Sequence, residues 1–209
     1  MKQEQMSTLT DGIFAIVMTI LVFEIRIPQN IFIVTNQTLS LAVFSIYPLF
    51  LSYLLSFSLL FTYWRAHQYI AYDLAKNVDI RLSNLNALFL FFVGLVPFFS
   101  HLLGQYSYIQ FAIIAFGCNI ILISISLWIM RRYIIHSSSI ENAPFTKTEN
   151  EHANVRILFP AVAAIFAILV SFLHKELALV VFTLAILFNL SRRSTRYIFY
   201  FVDMFRKRN

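Results

Sequence analysis

Residues 108–130 contain no Asp, Glu, Lys or Arg, and the run ends on Arg131-Arg132. A helix of roughly 20 apolar residues crosses the ~30 Å hydrocarbon core of a bilayer, so this stretch has the length and polarity of a membrane span. Five more apolar runs accompany it, and the pattern predicts helices at about 7–25, 41–64, 84–103, 108–130, 155–173 and 177–190. Only 12% of the residues are charged and 23 are Phe, against roughly 25% charged in an average soluble domain. The expected fold class is all-α: a polytopic membrane protein with one six-helix transmembrane domain over 1–190. A basic, aromatic tail at 191–209 follows, of a kind that lies along a membrane surface and meets lipid.

The net charge of +6 does not point to nucleic acid, because almost all the Lys and Arg lie between or after the apolar runs, where topology signals belong. One precedes the first helix, three separate the second from the third, four (counting Arg156) separate the fourth from the fifth, and six are in the tail. The intervals on the other side hold only Arg26 and Lys175. With six helices, this asymmetry predicts a multi-pass protein of the cell membrane with both termini cytoplasmic. Glu4 in the would-be basic region and the lack of a small-residue cleavage site argue against a cleaved signal peptide. The single cysteine, Cys118, cannot form an intrachain disulfide and reads as a small buried residue. No Cys/His cluster has metal-ligand spacing and no nucleophile–base pair stands outside the apolar runs, so neither a structural metal, a cofactor nor an enzyme is expected.

The first run is unlike the others. Residues 12–23 alone are free of charge, between Asp11 and Glu24, which is short for a lipid-facing span. A carboxylate deep in a membrane costs about 2.5–3.5 kcal/mol and usually faces protein or water. The segment therefore reads as the inner helix of a bundle, with its polar residues turned toward a pathway or partner helices. Thr8-Leu9-Thr10-Asp11 before an apolar run fits a capping box, which makes Asp11 a helix-start residue. The topology adds a second role: Asp11, His67 at the exit of the second helix, and Asn84 and Asn86 at the entry of the third fall near one cytoplasmic level. There they can form a hydrogen-bonded cluster, although His67 also has a plain reading as a packing histidine. Ile16, Thr19, Ile20 and Phe23 recur at spacings of three and four and share a face. Around an axis, that face presents three apolar rings and one hydroxyl ring. Spacing alone favours a simpler role for Thr19, a bond to its own backbone one turn back. Asn119, Ser124 and Ser126 on the fourth helix read as interhelical hydrogen-bond formers.

Leu9-Thr10-Asp11 followed by Gly12-Ile13-Phe14-Ala15-Ile16 resembles the Phe-Ser-Asp signature helix of the transmembrane protein 175 family of potassium channels, prokaryotic branch. Tyr63-Trp64-Arg65-Ala66-His67, and Asn86-Ala87-Leu88-Phe89-Leu90 through Val96-Pro97-Phe98, resemble that family's second and third helices. Two departures stand out: Gln5 replaces the Arg that begins the signature, removing the expected ionic partner of Asp11, and Leu9 and Thr10 replace its Phe and Ser. The resemblance implies a homotetramer of six-helix subunits whose first helices surround a central pathway for potassium, with no carbonyl filter of the Thr-Val-Gly-Tyr-Gly kind. It implies that Ile16 forms the narrowest ring with Ile20 and Phe23 above it, and that the Thr19 hydroxyls help a partly dehydrated potassium ion across. A narrow apolar ring can gate by dewetting, with selectivity then resting on ring size and the few nearby oxygens.

A passive, potassium-preferring cation channel is thus the leading expectation. The alternative is a proton-coupled secondary transporter using Asp11 and His67 as a relay; a non-transporting membrane scaffold ranks third.

Overall fold

The computed structural model describes residues 3–27, 35–141 and 147–190; the basic tail at 191–209 lies outside them. Every regular element among the described residues is helical: α1 (Gln3–Ile20) with a 3-10 turn (Leu21–Glu24), α2 (Asn36–Ser45), α3 (Tyr47–Gln68) closing in a π turn (Tyr69–Leu74), α4 (Ile80–Gly94), α5 (Val96–Gln105), α6 (Gln110–His136), α7 (Lys147–Ser171) and α8 (Lys175–Leu190). Among the described residues, five stretches are long and apolar enough to cross a membrane: Gln3–Glu24, Tyr47–Gln68, Ile80–Gln105, Gln110–His136 and Ala153–Ser171. The predicted sixth helix is present as α8, of 16 residues.

Local chemistry explains the breaks. Thr35 caps α2 in a reciprocal box with Thr38, and Pro48 in the first turn of α3 starts a new helix inside what reads as one apolar run. Pro97 does the same for α5, where its missing N–H bends the third span after Gly94. Asp79 caps α4 by accepting from Leu82 N–H at 2.8 Å, and Tyr133 of α6 donates to its other oxygen. Slight desolvation pushes the Asp79 carboxyl up, but the bonds from Tyr133 and Leu82, with Arg81 nearby, hold it below the ordinary carboxylate range.

Two expectations are corrected here. α1 begins at Gln3, so Thr8, Thr10 and Asp11 lie within the helix and not ahead of it. The Thr8 and Thr10 hydroxyls donate back to Glu4 O (2.8 Å) and Met6 O (2.9 Å), so Asp11 is no cap. Nor does α6 stop at Arg131-Arg132: Arg131 is only 1% exposed and donates through Nη1 to Asn154 Oδ1 of α7 at 2.7 Å, and the helix continues to His136.

Lipid tails are as apolar as Leu, so helices in a membrane are held by close packing and hydrogen bonds more than by the hydrophobic effect. Small residues mark the tight contacts. A Cβ on Gly104 of α5 would lie 2.6 Å from Ser52 Oγ and 2.9 Å from Leu49 Cα of α3, and one on Gly117 of α6 would lie 2.7 Å from Ile168 Cδ1 of α7. α6 packs against α4, α5 and α7, and Tyr63 of α3 reaches it through Ser124 Oγ (2.5 Å) and Ile120 O (3.1 Å). Ser124 thus bonds between helices as expected, whereas Ser126 donates to Ile123 O of its own helix and Asn119 Oδ1 is buried without a hydrogen-bond partner among the described residues. Cys118 is exposed, contrary to expectation, because it falls on the outward stripe with Leu122, Ile125 and Ile129.

Candidate functional site

α1 has two faces of different chemistry. Met6, Thr10, Phe14, Val17 and Leu21, spaced by three and four, are buried against α4, α3 and α5; Phe14 meets Phe89 at 5.9 Å between ring centroids. The opposite face carries Glu4, Gln5, Thr8, Leu9, Gly12, Ile16, Thr19, Ile20 and Phe23, all exposed in the isolated chain. Ile16 is 58% and Phe23 64% exposed. The four residues predicted to share a face do share it. Thr19 Oγ1 sits 2.8 Å from Ile16 O and 3.0 Å from Ala15 O, so its hydroxyl donates to the helix backbone.

The predicted polar cluster forms two neighbouring groups at the opposite end of the bundle from Glu24. In the first, the Trp64 indole N–H donates to Asp11 Oδ1 at 2.9 Å and the Gln68 amide donates to the same oxygen. In the second, His67 Nε2 lies 2.8 Å from Asn86 Oδ1, Asn86 Nδ2 donates to Thr10 Oγ1 at 3.2 Å, and the Thr10 hydroxyl donates to Met6 O. The direction of each bond follows from the one before it. The backbone carbonyl can only accept, so Thr10 accepts from the Asn86 amide, and the Asn86 oxygen is left for a proton on His67 Nε2. His67 also stacks on Phe89, with ring centroids 5.5 Å apart and planes 8° from parallel. Asp11 and His67 therefore belong to separate hydrogen-bond groups, adjacent on α1 (Asp11 beside Thr10) and on α3 (Gln68 beside His67).

Asn84 is in neither group. It precedes Asn86 by two residues, about 200° around a helix, and lies exposed while Asn86 is buried. Trp64, Gln68 and Thr10 are participants that the sequence reading did not include. Their signal was present: Trp64 and Gln68 are four apart on α3, hence on one face, and an indole N–H in an apolar bundle requires an acceptor.

The first group ties α1 to α3 and the second ties α1 to α4 and, through Asn86, to α3, and the base of α1 has a further tether. Gln3 Nε2 donates to Ala75 O at 2.6 Å, the next residue's N–H (Lys76) donates to Glu141 O at 2.9 Å, and Asn77 bonds both Ser139 O and Glu141 N–H at 2.8 Å. At the far end, Glu24 Oε2 and His101 Nδ1 of α5 approach to 2.9 Å. Among the described residues no three His, Cys, Asp or Glu gather to hold a metal ion.

Residues 5–97 match the model of a family described as the endosomal/lysosomal potassium channel TMEM175. The chain is 26% identical over 180 residues to a potassium channel of Chryseobacterium sp., covering 86% of this chain and 88% of that one. It is 36% identical over 97 residues to a potassium channel of Chamaesiphon minutus, covering 46% and 47%. In three dimensions it shares its fold with the crystal structure of a lysosomal potassium-selective channel TMEM175 homolog from Chamaesiphon minutus, with a TM-score of 0.72 at 22% identity over 92% of this chain and 97% of that one.

Proposed function

We propose that the chain is a member of the TMEM175 family and a potassium-preferring cation channel whose pathway runs along the exposed face of α1, a reading supported by the family match over residues 5–97 and by the potassium-channel relatives. The observation that carries this reading is the mixed character of that face: Ile16, Ile20 and Phe23 share it with Thr8, Gly12 and Thr19, whereas a face destined for lipid is apolar throughout. One such helix cannot enclose a pathway, so a closed ring of copies is required; four copies, as the family resemblance implies, place Ile16 at the narrowest level, with Ile20 and Phe23 beyond it. The Thr19 oxygen then accompanies potassium past the apolar rings, and potassium is the permeant ion and not a resident cofactor. The Thr10 hydroxyl supports the same reading, since it keeps at Asn86 the oxygen that Ser supplies in the family signature.

The network end carries most of the loop cations, Arg65, Lys76, Arg81 and Arg132, against Arg26 and Lys175 at the other. We therefore assign the network end to the cytoplasm of a cell-membrane protein, with both termini there. The potassium-channel relatives support the channel over the proton-coupled carrier using Asp11 and His67. A channel role calls for no catalytic residue.

The test is a planar-bilayer recording of the purified chain with potassium on one side and sodium on the other. Unitary current steps with a reversal potential displaced toward potassium are expected. Flux that saturates, needs a proton gradient and shows no unitary steps would sink the reading.

A further inference from the structure

At the end of the bundle opposite the polar network, an open crevice of about 1080 Å³ lies between the start of α3, the turn before α6 and the start of α8. Gly104 draws α5 tightly onto one side of α3; the crevice occupies the α8 side. Its rim carries Tyr47, Tyr108, His174 and Lys175, and its walls Leu51, Leu177 and Val180. It continues into a narrow cleft of about 30 Å³ that shares Tyr47, Leu51 and Leu179 and is floored by Ser52 and Thr183.

We propose that this crevice binds an anionic phospholipid, with the headgroup phosphate at Lys175 and one acyl chain between α3 and α8.

Three observations select that occupant. The polarity is graded along one direction, with a cation at the rim, tyrosines beside it and aliphatic walls below, which is the order of headgroup, interface and hydrocarbon in a bilayer. The floor offers little to a polar ligand, because the Ser52 hydroxyl already donates to Leu49 O at 2.9 Å and the Thr183 hydroxyl to Leu179 O at 2.8 Å, with Ser107 the other hydroxyl in the lining. The walls are bulky and exposed, with Leu177 and Val180 open to the outside, whereas helix–helix contacts in membranes favour small residues. A second copy of the chain fits such a surface poorly and an acyl chain fits it well. Among the described residues, Lys175 and Arg26 are the Lys and Arg at this end, and Lys175 is the one that lines the crevice, so the preference for a negative headgroup rests on it.

The full chain is reconstituted in phosphatidylcholine vesicles with increasing phosphatidylglycerol and re-extracted in detergent, and the phospholipid bound per chain is measured by mass spectrometry. Tail cations contribute equally to every variant, so differences report the crevice. The native chain and Lys175→Arg retain phosphatidylglycerol alike. Lys175→Ala requires roughly fivefold more of it for equal retention, and Val180→Trp, which fills the crevice, loses phosphatidylglycerol and phosphatidylcholine together. Equal retention by native and Lys175→Ala chains overturns the proposal. So does displacement of the lipid by inorganic phosphate, which makes the rim a free-anion site, or a change of oligomeric size in Val180→Trp, which assigns the crevice to a second copy.

Discussion

α1 and α7 both present an exposed stripe at helical spacing, yet the two are built differently. On α7 the stripe is Val162, Ile165, Phe166 and Leu169, aliphatic or aromatic throughout, with Val162 62% and Leu169 61% exposed. On α1 the stripe is as exposed but interleaves Thr8, Gly12 and Thr19 with its apolar members. Their inner faces differ as well. α7 is seated by small residues, Ala164 and Ala167 fully buried and Ile168 over Gly117. α1 is seated by directed bonds, through Thr10 to Asn86 and Asp11 to Trp64 and Gln68. Close packing tolerates rotation until side chains clash, whereas a chain of three oriented hydrogen bonds specifies the helix's angle about its own axis. The helix whose exposed face is proposed to do the work is thus the one whose rotation is best defined.

The seating of each helix is the place to strike hardest. Asn86→Leu leaves His67 and Thr10 buried with a bond unmade and is expected to cost about 1–3 kcal/mol, read as a lower thermal midpoint in detergent. Asn84→Leu, on the exposed side of the same helix, should stay within about 0.5 kcal/mol, and equal losses would mean that the hydrogen-bond chain is not what holds α1. Gly117→Val should cost a similar ~1–3 kcal/mol by overpacking against Ile168 while leaving potassium-over-sodium preference unchanged, since this contact is apart from the proposed pathway on α1.

The exposed stripes come next. Ile16→Asn should raise potassium flux about tenfold, which corresponds to ~1.4 kcal/mol off the barrier, by wetting the apolar ring; Ile165→Asn at similar exposure should leave it unchanged. If both variants behave alike, the distinction between the stripes fails. A smaller effect is expected from Thr19→Ala, a loss of about 0.5–1.5 kcal/mol of potassium preference seen as a reversal potential closer to zero under bi-ionic conditions, with Thr19→Ser close to native.

The smallest effect lies far from both stripes. The folded-state pKa of Asp79 is depressed, so its contribution to stability is present above the pKa of an unfolded Asp and is lost as pH falls through the lower, folded value. Asp79→Asn should flatten that acid limb of the melting curve without altering the ion preference.

The helical class, the apolar runs and the shared end of Asp11, His67 and Asn86 were all readable from the sequence, because they depend on length, polarity and alternation along the chain. What was not readable depends on rotation about each axis. Asn84 and Asn86 look equivalent in sequence, and only the phase of α4 turns one inward. Asp11 and His67 look like partners at one level, but each is claimed first by a nearer neighbour. Arg131 reads as a stop because arginine is costly in hydrocarbon, yet a single carbonyl oxygen on Asn154 and the cover of α7 carry the helix past it. The crevice beside α8 has no sequence signal at all, being a gap left by how closely α5 sits on α3.

The Thr19 hydroxyl has one proton, and that proton is given inward to the Ile16 and Ala15 carbonyls. What remains facing outward is electron density alone. On the proposed pathway a passing positive ion would meet a ligand there, whereas a chloride-like ion, which needs a hydrogen to lean on, would meet none. If α1 lines the pathway as proposed, the orientation of a single O–H bond would make this turn discriminate by sign of charge before size is considered, without any formal charge on the helix face at that level.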